Sequence, residues 1–257
     1  MNFIQAILLS IVEGISEFLP ISSTGHMILA SDILKISQTS FVKDFEIVIQ
    51  LGAIFAIVFL YWKSMSKNVE AWKKIIAAFI PTGIIGFLLF KIIKTYLLGN
   101  SLITVASLFL GGIALIFLEL IYKEKEHHVD KIENITYKNA VLIGICQSLA
   151  VIPGVSRSAA TIVGALFLGT KRKAATEFSF LLAVPTMLAA TGLDIVKSNF
   201  SYSFNEWLVL MTGFIGAFLV AVVVVKWFIK YVQTHTFIPF GVYRIIAAIL
   251  FYFIVLR

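Results

Sequence analysis

An all-α polytopic membrane protein is the class this sequence predicts, built as an inverted repeat with six transmembrane helices plus two re-entrant helix hairpins. Three observations carry that expectation. Hydrophobic residues make up 60% of the 257 and charged residues only 14%, against about 45–50% and about 25% in a soluble domain. Six apolar runs are long enough to cross a bilayer, which takes roughly 17–25 residues. Two further apolar stretches are interrupted by proline and polar residues, and they stand at matching places in the two halves of the chain.

Taken in order, residues 1–34 come first. They are apolar but broken at Pro20 and by the polar run after it, and their second part, 21–34, is too short to span. The expected reading is a hairpin that enters the membrane and returns to the same side. Such backbone survives at depth only where protein or a water-filled cavity satisfies it. Spans follow at 45–62, 74–95 and 101–122. The hydrophilic linker 123–137, KEKEHHVDKIENITY, then divides the chain almost evenly. Residues 138–169 repeat the broken pattern at Pro153–Gly154, and spans follow at 176–196, 206–230 and 238–256. The N-terminus lacks a basic n-region and carries Glu13 and Glu17, so no cleavable signal peptide is expected. The lone Cys146 can form no intrachain disulfide and reads as a small core residue.

Each half, 1–122 and 138–257, thus holds a hairpin and three spans within one membrane domain. Local matches support a repeat: EFLPISSTGH with VIPGVSRSAA, DFEIVIQLGA with ATEFSFLLAV, and FKIIK with VKWFIK, at nearly constant offset. Three spans is an odd number, so the second half is inverted relative to the first, which brings both breaks toward the midplane. Loops 63–73, 123–138, 168–175 and 231–237, with Lys74, Lys226 and Lys230 at their edges, carry thirteen Lys/Arg, and the opposite side carries six. The positive-inside rule then puts both termini outside. The formal charge of +7 belongs to this topology bias and gives no reason to expect nucleic acid.

The polar cluster is the candidate site. Glu13 and Glu17, four apart, share one helix face. An ionised group at the centre of a spanning helix costs about 2.5–3.5 kcal/mol, so two glutamates here are either solvated near the surface or face a cavity as an acid/base pair or a site for a divalent cation such as Mg²⁺ or Ca²⁺. Pro20 ends the first helix. Ser22, Ser23 and Thr24 supply hydroxyls and an N-cap for the next, and Gly25 permits close backbone approach. A helix start of this kind is a ready anion site. His26 taken alone would be a buried histidine with its bonds satisfied. Beside these groups it is a candidate general acid, base or nucleophile. In the second break, Arg157 stands between Ser156 and Ser158. A guanidinium there needs an anion: Glu13 or Glu17, or a phosphate gripped by its planar fork. Other polar residues carry weaker signals. Arg244 reads as a residue that snorkels from a helix end. Gln147 is placed facing the cavity, and His127 and His128 on a solvated face. For Glu46 and Glu177, charges near span starts and a supporting role remain open.

At these residues the sequence resembles the undecaprenyl-diphosphate phosphatase family, also called bacitracin-resistance proteins. EGISEFLPISSTGHM (13–27) looks like that family's glutamate-rich first motif with its proline–serine–histidine segment, and PGVSRSAAT (153–161) looks like its second motif. The resemblance extends over the whole chain. It implies a divalent-cation-dependent membrane hydrolase that removes the terminal phosphate of undecaprenyl diphosphate, recycling the lipid carrier of cell-wall synthesis and giving bacitracin resistance. It carries Glu13, Glu17, His26 and Arg157 over as essential, with a serine of the first break as nucleophile. The bottom-up chemistry is compatible. Glu13 and Glu17 hold the cation, Arg157 stabilises the transferring phosphoryl, and Ser23 attacks with His26 as base or leaving-group acid. Ser22, Thr24, Gly25, Ser156 and Ser158 surround the phosphate. The rival class is a lipid-carrier flippase or ion-coupled transporter, which shares the outline but needs no such convergence of groups on one phosphate. The expected partners are a polyprenyl diphosphate lipid and membrane lipids. A homodimer is left open. The expected location is the bacterial inner membrane, with the first hairpin open to the outer face.

Overall fold

The computed structural model describes residues 1–97, 100–197 and 201–256. Among them the chain is helical, with no strand; an isolated bridge between Val129 and Thr170 lies beside the linker. The first half runs α1 (Phe3–Ser16), α2 (Ser23–Ile33), α3 (Ser40–Lys67), α4 (Val69–Ile92) and α5 (Ser101–Ile121). The second runs α6 (Tyr137–Ser148), α7 (Arg157–Phe167), α8 (Arg172–Lys197), α9 (Phe204–Tyr231) and α10 (Ile238–Phe251). Among the described residues six segments are long and apolar enough to cross a membrane: Ser40–Lys63, Val69–Leu89, Ser101–Ile121, Arg172–Gly192, Phe204–Tyr231 and Ile238–Leu256. Each contains most of an expected span. Several begin a few residues earlier, because helices continue into the polar residues that flank an apolar run.

The four remaining helices are short. At about 1.5 Å per residue, α1 with 14 residues and α2 with 11 fall well short of the roughly 30 Å hydrocarbon core. So do α6 with 12 residues and α7 with 11. Their starts are locally encoded. Asn2 and Gln5 form a reciprocal capping box on α1, and the Thr136 hydroxyl accepts from Asn139 N on α6. Such caps satisfy backbone donors that the helix itself cannot.

Packing interleaves the two halves. α1 lies on α9, α6 on α4, α5 on α10, and α3 on both α8 and α9. Small residues let the backbones approach closely. Side chains at Gly112 or Gly241 would collide with the facing backbone of α10 or α5, and one at Gly144 would overlap the Ala78 carbonyl of α4. Phe18, Phe45, Phe178, Phe180 and Phe228 are fully buried, whereas Phe59, Trp62, Phe87, Leu88 and Leu110 stand on the outside. An apolar exterior of this extent suits lipid rather than water.

The linker is more closely attached than its composition suggests. Ile132 and Ile135 are buried, Lys74 Nζ donates to the Glu133 carbonyl at 2.7 Å, and His128 Nδ1 lies 3.3 Å from the Tyr122 hydroxyl. Two expectations are corrected here. Arg244 does not snorkel: it is fully buried, because Gly111 on α5 leaves the space its guanidinium fills. Gln147 does not face a cavity. It is buried, its amide nitrogen donating to the hydroxyls of Thr82 (3.1 Å) and Thr186 (3.0 Å) while its oxygen accepts from Thr161 (3.3 Å).

Candidate active site

The two breaks meet. The first runs from the end of α1 at Ser16 to the start of α2 at Ser23, and the second from the short 3-10 turn Leu149–Val151 to the start of α7 at Arg157. Ser22 and Ser156 occupy the N-cap positions, and both adopt positive φ, 71° and 75°. Such backbone in a residue other than glycine costs on the order of 1–3 kcal/mol and persists only where the surroundings impose it. The Ser156 hydroxyl accepts from Ala159 N at 3.2 Å, but the Ser22 hydroxyl makes no capping bond.

Between the breaks lies a cavity of about 270 Å³, lined among others by Glu17, Ser22, Ser23, Thr24, Ser156 and Arg157. Glu17 is its hub. Oε1 accepts from Arg157 Nη2 at 2.9 Å, and Oε2 accepts from Ser23 Oγ at 2.6 Å. The Arg157 and Glu17 side chains are only 12% and 5% exposed. Removing one partner of a pair this buried costs about 3–5 kcal/mol. Arg157 is oriented further by the Ser179 carbonyl at 2.9 Å, Met187 Sδ at 3.7 Å and the Phe18 ring at 5.6 Å. Its Nε is buried with no partner among the described residues, so one donor of the fork remains unused. Ser158, the next residue, donates to the Phe18 carbonyl at 2.8 Å. Residues 157 and 158 thereby hold residues 17 and 18.

Six of the ten expected site residues line the cavity. The other four do not. Ser158 is fully buried and ties the breaks together through Phe18. Gly25 is buried where α2 approaches α5, its missing side chain leaving room for Leu108. Glu13 is fully buried one turn beneath Glu17. His26 turns toward α10. Its Nδ1 lies 2.8 Å from the Ser22 carbonyl and its Nε2 2.6 Å from the Tyr243 hydroxyl, with the two rings stacked. Among the described residues it hydrogen-bonds neither Ser23 nor Glu17. The group beside the Ser23 hydroxyl is a carboxylate, not the imidazole.

The residues present fit a divalent cation in part. Both Glu13 oxygens are buried without a hydrogen-bond partner among the described residues, and the neighbouring charges include Glu17, Glu46 and Arg157. Orphaned carboxylate oxygens are suitable ligands for a hard cation. No cluster of three or more His, Cys, Asp or Glu able to hold a metal occurs among the described residues, so two carboxylates would need oxygens from substrate or water. Sequence reasoning missed Gln50, Met187 and Thr191, which also line the cavity. Gln50 had a signal, an amide inside an otherwise apolar span. Met187 and Thr191 had none.

These features define a multi-pass helical membrane protein whose carboxylate, hydroxyl and guanidinium groups converge on a cavity between two broken helices. The chain belongs to the Bacitracin resistance protein BacA family, which matches residues 6–250. It is 55% identical to an undecaprenyl-diphosphatase of Aquifex aeolicus over 96% of both chains, and 52% identical to one of Persephonella marina over the full length of both. A similar protein of the same name in Methanococcus aeolicus is 46% identical over 97% of both chains.

Proposed function

We propose that this chain hydrolyses undecaprenyl diphosphate to undecaprenyl phosphate and inorganic phosphate, with Ser23 as nucleophile. The observation that carries this reading is the Ser23–Glu17–Arg157 constellation on the cavity. Relatives of about half-identical sequence are named for the same activity, and that does not favour the transporter alternative.

Ser23 Oγ attacks the terminal phosphorus. The new Ser–O–P bond forms, the bridging P–O bond breaks, and undecaprenyl phosphate leaves. The hydroxyl proton passes to Glu17 Oε2, the atom to which Ser23 already donates. A hydroxyl needs such an acceptor because it is a weak nucleophile at neutral pH. The Arg157 guanidinium, which lines the cavity, and the first-turn N–H groups of α2 suit the equatorial phosphoryl oxygens. Water then cleaves the phosphoserine, releasing phosphate and restoring the hydroxyl. Glu13 and Glu17 would hold a divalent cation, Mg²⁺ or Ca²⁺, which when bound neutralises charge on the diphosphate. His26 acts outside this proton transfer, holding the Ser22 carbonyl.

The halves 1–122 and 138–257 form an inverted repeat about the linker 123–137, with re-entrant hairpins at 1–34 and 138–169. Support comes from the short α1, α2, α6 and α7 and from the positive φ shared by Ser22 and Ser156. The location is the inner membrane, with the first hairpin open to the outer face. The experiment is phosphate release from undecaprenyl diphosphate by purified protein in detergent, with rapid quench and mass spectrometry. Wild type should give a phosphoseryl adduct at residue 23, and Ser23→Ala should bind substrate without turnover. No phosphate release by wild type defeats the assignment of activity. An adduct on His26, or none, defeats the assignment of the nucleophile.

A further inference from the structure

Neither break keeps its strained serine by itself. Ser22 and Ser156 hold positive φ without the freedom of glycine, so something outside each turn must fix the peptide on either side. Consecutive residues of α10 reach those peptides. The Arg244 guanidinium, fully buried, donates to five backbone carbonyls: Pro20 (3.1 Å) in the first break, Gly154 (2.8 Å) and Val155 (2.9 Å) in the second, and Ser107 (3.1 Å) and Leu108 (3.3 Å) on α5. No carboxylate forms an ion pair with it among the described residues. A cation neutralised by carbonyl dipoles alone stays where it is only if those carbonyls stay too.

Tyr243 acts one residue earlier. A backbone carbonyl only accepts, so the His26 Nδ1 facing the Ser22 oxygen at 2.8 Å carries the proton. In the neutral ring Nε2 is then an acceptor, and the Tyr243 hydroxyl at 2.6 Å occupies it. The chain of contacts Tyr243–His26–Ser22 therefore fixes the tautomer of His26 and the carbonyl of the strained residue next to Ser23.

We propose that Tyr243 and Arg244 are positioning residues for this hydrolysis, clamping the backbone of both breaks so that the Ser23 hydroxyl and the Arg157 guanidinium stand in reacting register. Arg244 holds the residue two before Ser22 and the residue just before Ser156. Tyr243, through His26, holds Ser22 itself. Neither side chain is among those lining the cavity, so neither needs to touch substrate. Their effect belongs on turnover rather than on binding, because misplacing a reacting group by 1 Å can cost about a hundredfold in rate.

The inference rests on the phosphatase reading, and the test separates the two. Full-length Tyr243→Phe and Arg244→Lys proteins are purified in detergent beside wild type. Each is assayed for kcat and KM on undecaprenyl diphosphate and for its thermal midpoint. The ¹⁵N resonances of the His26 ring are followed in histidine-labelled protein. Tyr243→Phe keeps the stacked ring and removes only the hydroxyl. It should shift the His26 Nε2 resonance and lower kcat about tenfold, with KM within about twofold and the thermal midpoint nearly unchanged. Arg244→Lys, with three donors for five carbonyls, should lose about a hundredfold in kcat. If Arg244→Lys does not fold, Tyr243→Phe carries the test alone. An unshifted His26 resonance in Tyr243→Phe overturns the clamp. So does a shifted resonance with kcat within twofold of wild type, or a fall in activity that appears wholly as raised KM or lost stability. Wild-type protein that releases no phosphate overturns the phosphatase reading instead, and the resonance still decides whether Tyr243 holds His26.

Discussion

Replacing Glu17 with Gln puts the proposed chemistry at risk with little change of shape. The carboxylate serves two donors, Arg157 at 2.9 Å on one oxygen and Ser23 at 2.6 Å on the other. An amide has one oxygen for two donors. If that oxygen faces Ser23, the amide N–H groups face the guanidinium and donor meets donor. The amide therefore turns its oxygen to Arg157 and its nitrogen to Ser23. Breaking such a buried pair outright costs about 3–5 kcal/mol, but a hydrogen bond to a charged group, about 1.5–3 kcal/mol, survives. The net loss of stability should be about 1–3 kcal/mol, leaving a folded protein. The loss in rate should be larger. The Ser23 proton loses its acceptor, and a positioned base contributes about 10²–10⁴-fold, or about 3–5 kcal/mol of barrier. Steady-state phosphate release in detergent, with a thermal melt of the same sample, measures both. Turnover within threefold of wild type in a folded Glu17→Gln protein would refute Glu17 as the proton acceptor.

Glu13→Gln should raise the Mg²⁺ or Ca²⁺ concentration needed for half-maximal activity severalfold, since its orphaned oxygens are the ones available to an ion; a titration of activity against cation reads this, and an unchanged midpoint counts against a ligand role. Arg157→Lys should lose at least about a hundredfold in kcat/KM, because an ammonium cannot reproduce the guanidinium fork; purified variant assayed beside wild type reads it, and near-normal turnover would make Arg157 structural. Gly144→Ala should destabilise the fold by about 1–3 kcal/mol, since its methyl overlaps the Ala78 carbonyl, and the thermal midpoint reads the loss. Single cysteines near residue 2 and at 35–40, in a Cys146→Ser background, should react with an impermeant reagent from the same side of intact cells. Labelling from opposite sides would mean that residues 1–34 cross the membrane.

What the sequence made legible depended on whether a residue announces itself locally. Glu17, Ser23 and Arg157 are polar types near proline in apolar surroundings, so a shared site and the need of Arg157 for an anion could be argued without coordinates, whereas the bond from Ser23 to Glu17 could not. Arg244 could not be read this way. Its depth is set by the close approach of α5 and α10 and by the space at Gly111, and its partners are carbonyls, which every residue has. His26 was visible as a titratable group, but its partner Tyr243 lies 217 residues away, so its proximity to Ser23 in sequence was misleading. Gln147 looked like a cavity residue until Thr82, Thr161 and Thr186 satisfied its amide. The spans, by contrast, were readable because lipid imposes length and composition on them directly.

The pairing of Glu17 with a residue 140 positions later also sets an order of events during biosynthesis. When the first 122 residues have emerged, Glu13 and Glu17 exist and the guanidinium that will pair with Glu17 does not. A carboxylate left at membrane depth costs about 2.5–3.5 kcal/mol, so the early chain gains by keeping that segment near water. The arrival of Arg157 and Ser158, which bind Glu17 and the Phe18 carbonyl, gives the segment partners at depth. The Glu17–Arg157 pair therefore cannot form until the chain has been made as far as residue 157.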